Sequence, residues 1–237
     1  ANGTCDRVYA GDLFGDLWAF DISATNSGQW KVAYKSGSTP KPLFDGVTTQ
    51  PITVEPLVAA HPTATTGGAP DLLVFFGTGQ YITDADKTNT DTQAFYGVWD
   101  EGTQELDVSN LIEQTFEANF SSNIRVLTDN SVPYDLTGGS QRFGWYIQLP
   151  ESGERVVVNP IYRGSYVYFN TMTPSSDPCS YGGSGWTMAV DISTGGRTAN
   201  DTQAFDVNGD GNIDSSDLQT NSDNSLVNVV TGGIKYI

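Results

Sequence analysis

Asp206-Val-Asn208-Gly-Asp210-Gly211-Asn212-Ile213-Asp214-Ser-Ser-Asp217 places oxygen-bearing side chains at the first, third, fifth, ninth and twelfth positions of a loop, with glycine sixth. That alternation suits a hard divalent cation, Ca2+ above all, which takes about six to eight oxygens at roughly 2.3–2.6 Å. Asn212, in seventh place, offers its backbone carbonyl, and Gly211 permits a sharp turn where a Cβ would clash. Four carboxylates in so short a stretch repel one another unless a cation sits between them. The competing reading is an acidic, solvated surface turn; glycine and spacing together favour Ca2+. The expected ligands are Asp206, Asn208, Asp210, Asn212 and Asp214. Asp217 joins them if ligation extends to the twelfth position, and spacing alone leaves both closures open.

The flanks define the kind of site. An EF-hand needs an amphipathic helix on each side. Upstream, Ser193-Thr-Gly-Gly-Arg-Thr-Ala-Asn-Asp-Thr-Gln reads as a loop with no apolar period. Downstream, Ser216-Asp217-Leu218-Gln219 suffices for one short helical turn. The expectation is a calcium clip inserted in a β-rich domain, with a structural or ligand-gating role.

Other chemistry is thinly supported. His61 is the only histidine, no Gly-x-Ser-x-Gly elbow accompanies it, and a bond to a loop carbonyl is its expected role. Gly77-Thr-Gly79 lacks the third glycine and the helix of a dinucleotide fingerprint and reads as a tight turn. One histidine and two distant cysteines do not make a zinc site. Asp84, Asp86 and Asp91 lack the fixed alternation of the 206–217 loop and are expected in a solvated turn.

The elements that must position the loop form a degenerate repeat. Arg7-Val-Tyr-Ala-Gly-Asp-Leu-Phe-Gly15 precedes Asp16-Leu-Trp-Ala-Phe-Asp21. Leu72-Leu-Val-Phe-Phe-Gly77 precedes Gln93-Ala-Phe-Tyr-Gly-Val-Trp-Asp100. Ser165-Tyr-Val-Tyr-Phe-Asn-Thr-Met172 precedes Gly185-Trp-Thr-Met-Ala-Val-Asp191. Each unit is an aromatic, β-branched strand, a connection, and a second strand ending in Asp. That Asp is expected to bond the backbone of the following turn. Further strands are expected at residues 29–34, 52–59, 144–149, 155–158 and 226–230, and an amphipathic helix at 110–120, with Leu111, Ile112, Thr115 and Phe116 on one face. Repeated units with turn glycines predict an all-β chain with the blades of a β-propeller. No linker divides it, so residues 1–237 are expected to be part of one propeller domain carrying the calcium loop at 206–217.

Composition narrows the partners. The net charge is −17, from 28 acidic and 11 basic residues, with no basic stripe to neutralise phosphates. Nucleic acid and anionic membrane surfaces are therefore poor partners, and no apolar run is long enough to span a bilayer. Abundant Asn, Asp, Thr, Ser and Gly with few lysines fit a secreted bacterial-type protein, either a mature form or an excised piece. Cys5 and Cys179 suit an oxidising compartment, either as one long-range disulfide or as two separate thiols.

The run Asp6-Arg-Val-Tyr-Ala-Gly-Asp-Leu-Phe-Gly-Asp-Leu-Trp-Ala-Phe-Asp21 resembles a blade of the C-terminal propeller of the PilY family. The likeness continues through Gln50-Pro-Ile-Thr-Val-Glu-Pro, Phe75-Phe-Gly-Thr-Gly-Gln-Tyr, Asp177-Pro-Cys-Ser-Tyr-Gly-Gly-Ser-Gly-Trp186 and the acidic loop. The resemblance implies a non-catalytic protein of type IV pilus assembly and adhesion. Its partners would be minor pilins or the pilus-tip complex, with a host or surface ligand, outside the cell or at the outer-membrane surface. Family members use calcium at a propeller loop to regulate pilus extension and retraction; here that role would fall on Asp206, Asn208, Asp210, Asn212 and Asp214. The family's propeller is longer than this chain, so an incomplete ring is expected.

The competing class is a quinone-dependent propeller dehydrogenase. Ala19-Phe-Asp21-Ile-Ser-Ala-Thr-Asn-Ser-Gly28-Gln-Trp30 resembles the docking motif of quinoprotein blades, whose tryptophan packs between blades. The motif speaks for fold more than for chemistry. A quinone enzyme also needs a cluster of Arg or Lys with a catalytic carboxylate, and none is visible along the chain.

Overall fold

The computed structural model describes residues 5–63, 70–103, 105–134, 140–175, 183–198 and 203–236. Each aromatic repeat forms an antiparallel strand pair in a sheet of its own. In the first sheet, β1 (Arg7–Gly11) pairs with β2 (Leu17–Asp21), which carries β3 (Lys31–Val32). A small hairpin of β4 (Tyr34–Ser36) and β5 (Thr39–Lys41) follows. The chain continues through β6 (Leu57–Ala60), β7 (Leu72–Gly77), β8 (Ala94–Asp100), β9 (Ile112–Gln114), β10 (Ile124–Arg125) and β11 (Gly144–Gln148). The second sheet has the order β6-β7-β8-β11-β9, with β9 parallel to β11 and the other pairs antiparallel. Last come β12 (Ile161–Arg163), β13 (Tyr166–Thr173), β14 (Ser184–Asp191) and β15 (Gly233–Tyr236). They form the third sheet, in the order β10-β15-β14-β13-β12. None of these sheets closes on itself among the described residues.

The three large sheets stack face on face, and the stacking explains the apolar pattern of the middle one. β7 and β8 are buried almost throughout because neighbours cover both faces. Leu73, Phe75, Phe95, Trp145 and Ile147 face the third sheet's Val167, Phe169, Met188 and Val190. Their alternates Val74, Phe76, Ala94, Tyr96 and Val98 face Leu17, Ala19, Tyr34 and Phe44 on the other side. Each large side chain so buried contributes on the order of 1.5–3 kcal/mol. Phe95 lies flat on Phe169, with ring centroids 3.8 Å apart and planes 3° from parallel. Gly97 is required because Trp145, its register partner, lies across it: a Cβ there would come within 2.5 Å of the indole.

Several expected elements differ. Residues 110–120 form no helix: a 3-10 turn at Val108–Asn110 leads into β9. Gln114, which is not among the four residues of the expected apolar face, is 1% exposed. Its amide is saturated by Asn130 O, Thr194 O, Thr128 Oγ1 and Asn130 N–H, and β11 takes the backbone bonds a helix would have made itself. Residues 29–34 split into a 3-10 turn (Ser27–Gln29), β3 and the start of β4. The strand expected at 52–59 is shorter and later, as β6. Residues 155–158 and 226–230 make only isolated bridges, Arg155 with Met172 and Val229 with Gln219. The strand expected at 144–149 is β11.

The strand-ending aspartates also diverge. Asp21 and Asp191 cap their turns: Asp21 accepts the Ser23 N–H at 3.1 Å, and Asp191 those of Ser193 and Thr194 at 2.8 and 3.0 Å. Asp100, wholly buried, instead binds Arg7, Tyr9 and Tyr34 of the neighbouring sheet and hairpin.

Candidate metal centre

The acidic loop lies in the connection from β14 to β15, within the third sheet. Its approach is anchored before the first acidic residue. Phe205, 8% exposed, packs with Ala204 and Val207 on the sheet's outer face against Tyr166, Tyr168, Ala189 and Ile234. Phe205 meets Tyr168 edge-on, with centroids 6.2 Å apart. Beyond the loop, a 3-10 turn at Ser215–Asp217 and the Gln219–Val229 bridge return the chain to the sheet.

The loop winds about its own carboxylates. Asp206 accepts the Gly209 N–H at 2.7 Å and the Gly211 N–H at 2.9 Å, one on each oxygen. Asn208 Oδ1 accepts from Asp210 N at 2.9 Å, and Asp210 Oδ1 from Asn212 N at 2.8 Å. Asp214 caps the 3-10 turn by accepting the Ser216 N–H at 2.8 Å. Gly209 and Gly211 have φ of +77° and +89°, and the space where a Cβ would sit is open at both. The requirement for glycine is therefore in the positive φ of the backbone; the sharp turn was expected at Gly211, while Gly209 adds a second one.

Asp217 stands apart. It is 1% exposed beneath the loop, accepting the Val207 and Asn208 N–H groups on Oδ1 and the Asp214 N–H on Oδ2. Burial pushes its carboxyl up, but the N–H groups of Asp214, Val207 and Asn208 outweigh that and hold it below the usual range. It joins the first and last turns of the loop.

The donor set suits a hard cation in type: carboxylate and amide oxygens only, on glycines that allow the turn. Each carboxylate keeps lone pairs beyond its backbone bonds. Among the described residues, no three His, Cys, Asp or Glu side chains converge closely enough to hold an ion as the chain stands. The loop side chains are committed to backbone N–H groups instead.

Other expected residues take different roles. Asp86 is 4% exposed, not solvated: it accepts from Gln80 Nε2, the Ile82 and Thr83 N–H groups and Thr83 Oγ1. Asp84 pairs with Lys87 at 2.8 Å, and Asp91 accepts from Asn89 Nδ2 at 2.8 Å. His61 is buried against Trp99 and Tyr134, and its Nδ1 accepts the Thr63 N–H at 3.2 Å, where a bond to a carbonyl was expected. Trp30 is 51% exposed and donates to Ala24 O within its own loop, so it does not pack between sheets. Cys5 is exposed; its expected partner Cys179 lies outside the described residues.

The sequence reading missed two buried ionic groups. One is the Asp100 cluster. The other is Arg125, 7% exposed, which makes a two-pronged bond to Glu154 at 2.6 and 2.9 Å and lies 3.9 Å over the Trp186 ring. The pattern Glu-x-x-Glu before the apolar run Val156-Val-Val158 carries no signal that its partner lies far back in the chain, so only the fold reveals this pair.

Consecutive sheets stacked face on face, each built on an aromatic hairpin, define a propeller-type chain. It belongs to the PilY1 family: the PilY1 beta-propeller domain matches residues 1–126. The chain is similar to the type IV pilus biogenesis factor PilY1 of Pseudomonas aeruginosa PAO1, with 32% identity over 267 residues covering 96% of this chain. It is 35% identical over 211 residues to a PilY1 homolog of Xylella fastidiosa, covering 83% of this chain. The chain spans only 22% and 15% of the length of these two relatives. The crystal structure of the Pseudomonas aeruginosa PilY1 C-terminal domain superposes with a TM-score of 0.79 at 28% identity, covering 99% of this chain and 53% of that one.

Proposed function

We propose that the chain is part of a type IV pilus biogenesis factor that acts at the cell surface or pilus tip by binding protein partners, without catalysis. The observation that carries this reading is the similarity to PilY1, which extends over 96% of the chain. The acidic loop supports a calcium-binding role in addition. Asp206, Asn208, Asp210, Asn212 and Asp214 would hold Ca2+ and Asp217 would tie the loop's two ends, whether or not it also ligates. Bound Ca2+ would supply charge neutralisation and a fixed loop shape. The chain's own contribution is the anchor: Phe205, packed edge-on against Tyr168, seats the start of the loop on the third sheet. The partners proposed are minor pilins, with adhesion to a surface ligand as an additional role.

A quinone-dependent enzyme is the competing reading. The exposed Trp30 lends it no support. Arg7, Arg125 and Arg155 are each committed to separate partners, which also leaves it without a shared cationic cluster among the described residues.

Two measurements test the proposal. Calorimetric titration of chelator-treated chain with Ca2+ should show binding that Asp210→Ala removes; equal affinity in the variant overturns the loop assignment. Immobilised chain should retain purified minor pilins in Ca2+ and release them in chelator. Retention of none of the minor pilins in either condition overturns the pilin-binding role.

A further inference from the structure

Away from the acidic loop, a cavity of about 220 Å³ opens where connections from all three large sheets meet. Leu13 comes from the β1–β2 turn, Thr48 from the segment before β6, Asn89, Asp91 and Gln93 from the β7–β8 connection, and Arg155 from the approach to β12. The walls are held in place before any ligand arrives. Arg155, 2% exposed, donates Nε to Gly153 O at 2.9 Å, Nη1 to Gln80 O and Asp86 O at 2.8 Å each, and Nη2 to Asn89 O at 2.7 Å. Those bonds use four of its five N–H donors and leave one on Nη2. Gln93, 4% exposed, donates Nε2 to Thr49 O at 3.0 Å and Asp91 O at 3.3 Å, while its buried Oε1 accepts no hydrogen bond among the described residues. A buried acceptor without a partner calls for an explanation, and a donor brought by a ligand is one.

Charge and size select the ligand. Among the described residues, Arg155 and Asp91 are the only ionisable ones lining the cavity, and they balance. An anion would find a single open guanidinium N–H on a chain of net charge −17, and a cation would meet Arg155. The volume lies below the roughly 300–1,000 Å³ of sites for drug-sized ligands. Leu13 and Pro51 add an apolar wall beside the polar one. We propose that this cavity binds a neutral, hydroxyl-rich ligand the size of one sugar ring. Its hydroxyls would bond Gln93 Oε1, Asp91, Thr48 and the free Arg155 N–H, and its C–H face would lie on Leu13 and Pro51.

The test is saturation-transfer NMR on the full chain, with glucose, galactose, mannose and N-acetylglucosamine as probes and glucuronate as the anionic comparison. At least one neutral sugar should give a saturable signal, weakened about tenfold or more by Asp91→Ala. Asp91 is exposed and, among the described residues, its side chain bonds only Asn89, so that variant should keep the parent's thermal unfolding midpoint. Thr48→Val, also at an exposed position, should weaken the same sugar independently. No saturable signal from any neutral sugar, affinity unchanged in both variants, or tighter binding of glucuronate would each overturn the proposal.

Discussion

The Asp100 carboxylate at the end of β8 accepts the Nε–H of Arg7 in β1 at 2.8 Å, bridging the second sheet and the first. Tyr9 donates its hydroxyl to the same carboxylate at 2.6 Å, the Tyr34 hydroxyl donates to its other oxygen, and Arg7 Nη2 also reaches Tyr34 at 2.7 Å. Burial by itself would lower the Arg7 pKa, but Asp100 and the two tyrosines hold it above the ordinary value. Burial, then the Asp100 charge, pushes Tyr9 and Tyr34 far above the usual phenol range, so both remain hydrogen-bond donors. The cluster is satisfied only while the sheets stay together.

Asp100→Ala should therefore destabilise the chain by about 3–5 kcal/mol, because it leaves Arg7 without its counter-charge. Tyr9→Phe, which deletes one donor, should cost about 1 kcal/mol. Urea unfolding of the two variants beside the parent measures both. A loss under about 1 kcal/mol for Asp100→Ala would show that the sheets are held by apolar packing alone.

The stacked pair Phe95 and Phe169 joins the second sheet to the third as Asp100 joins it to the first. Phe169 is 2% exposed and Phe95 fully buried. Phe169→Ala should cost about 3–5 kcal/mol, whereas Phe169→Leu should keep most of that stability. Equal losses in the two variants would locate the effect in ring stacking, not in filled volume.

In the acidic loop, Asp210 and Asp217 should behave differently. Asp210 is exposed, so Asp210→Ala should abolish Ca2+ affinity while changing stability in chelator by no more than about 0.5 kcal/mol. Asp217→Ala should weaken the fold in chelator as well, by about 1–3 kcal/mol, since it removes a buried carboxylate that accepts three part-buried N–H groups. Thermal unfolding with and without Ca2+ separates the two effects.

Acid should loosen the chain through Asp86 and Asp217. The Thr83 N–H, followed by Gln80 and the Ile82 N–H, holds the Asp86 carboxyl well below the usual range. The unfolded chain thus binds protons at a higher pH than the folded one. The stabilisation is complete above the ordinary Asp value of about 3.9 and is lost as pH falls through the folded-state values. The urea midpoint should be flat from pH 7 to about 5 and drop steeply below about 4. Asp86→Asn should shrink that drop, and an identical profile in the variant would assign the acid response to other carboxylates.

Much of this molecule was legible from local spacing. The three aromatic hairpins stand where their repeats lie, and Gly211 adopts the left-handed turn conformation that the loop pattern implied. These features depend on residues close in the chain, whose backbone preferences and side-chain alternation act wherever the segment sits. Residues 110–120 mark the boundary of that logic. Their pattern fits a helix in isolation, but an open edge on β11 and four partners for Gln114 decide for a strand.

The strand-ending aspartates show the same division most sharply. By itself the sequence determined that Asp21, Asp100 and Asp191 each close a strand of a repeated hairpin, and that oxygen-bearing side chains alternate through residues 206–217. Only the tertiary structure decided that Asp21 and Asp191 cap turns while Asp100 holds an arginine and two tyrosines. It likewise decided that Arg155 and Gln93 wall a cavity. A carboxylate takes whatever donors its surroundings supply, and in a stack of sheets the buried donors come from strands distant in sequence, which no local pattern records.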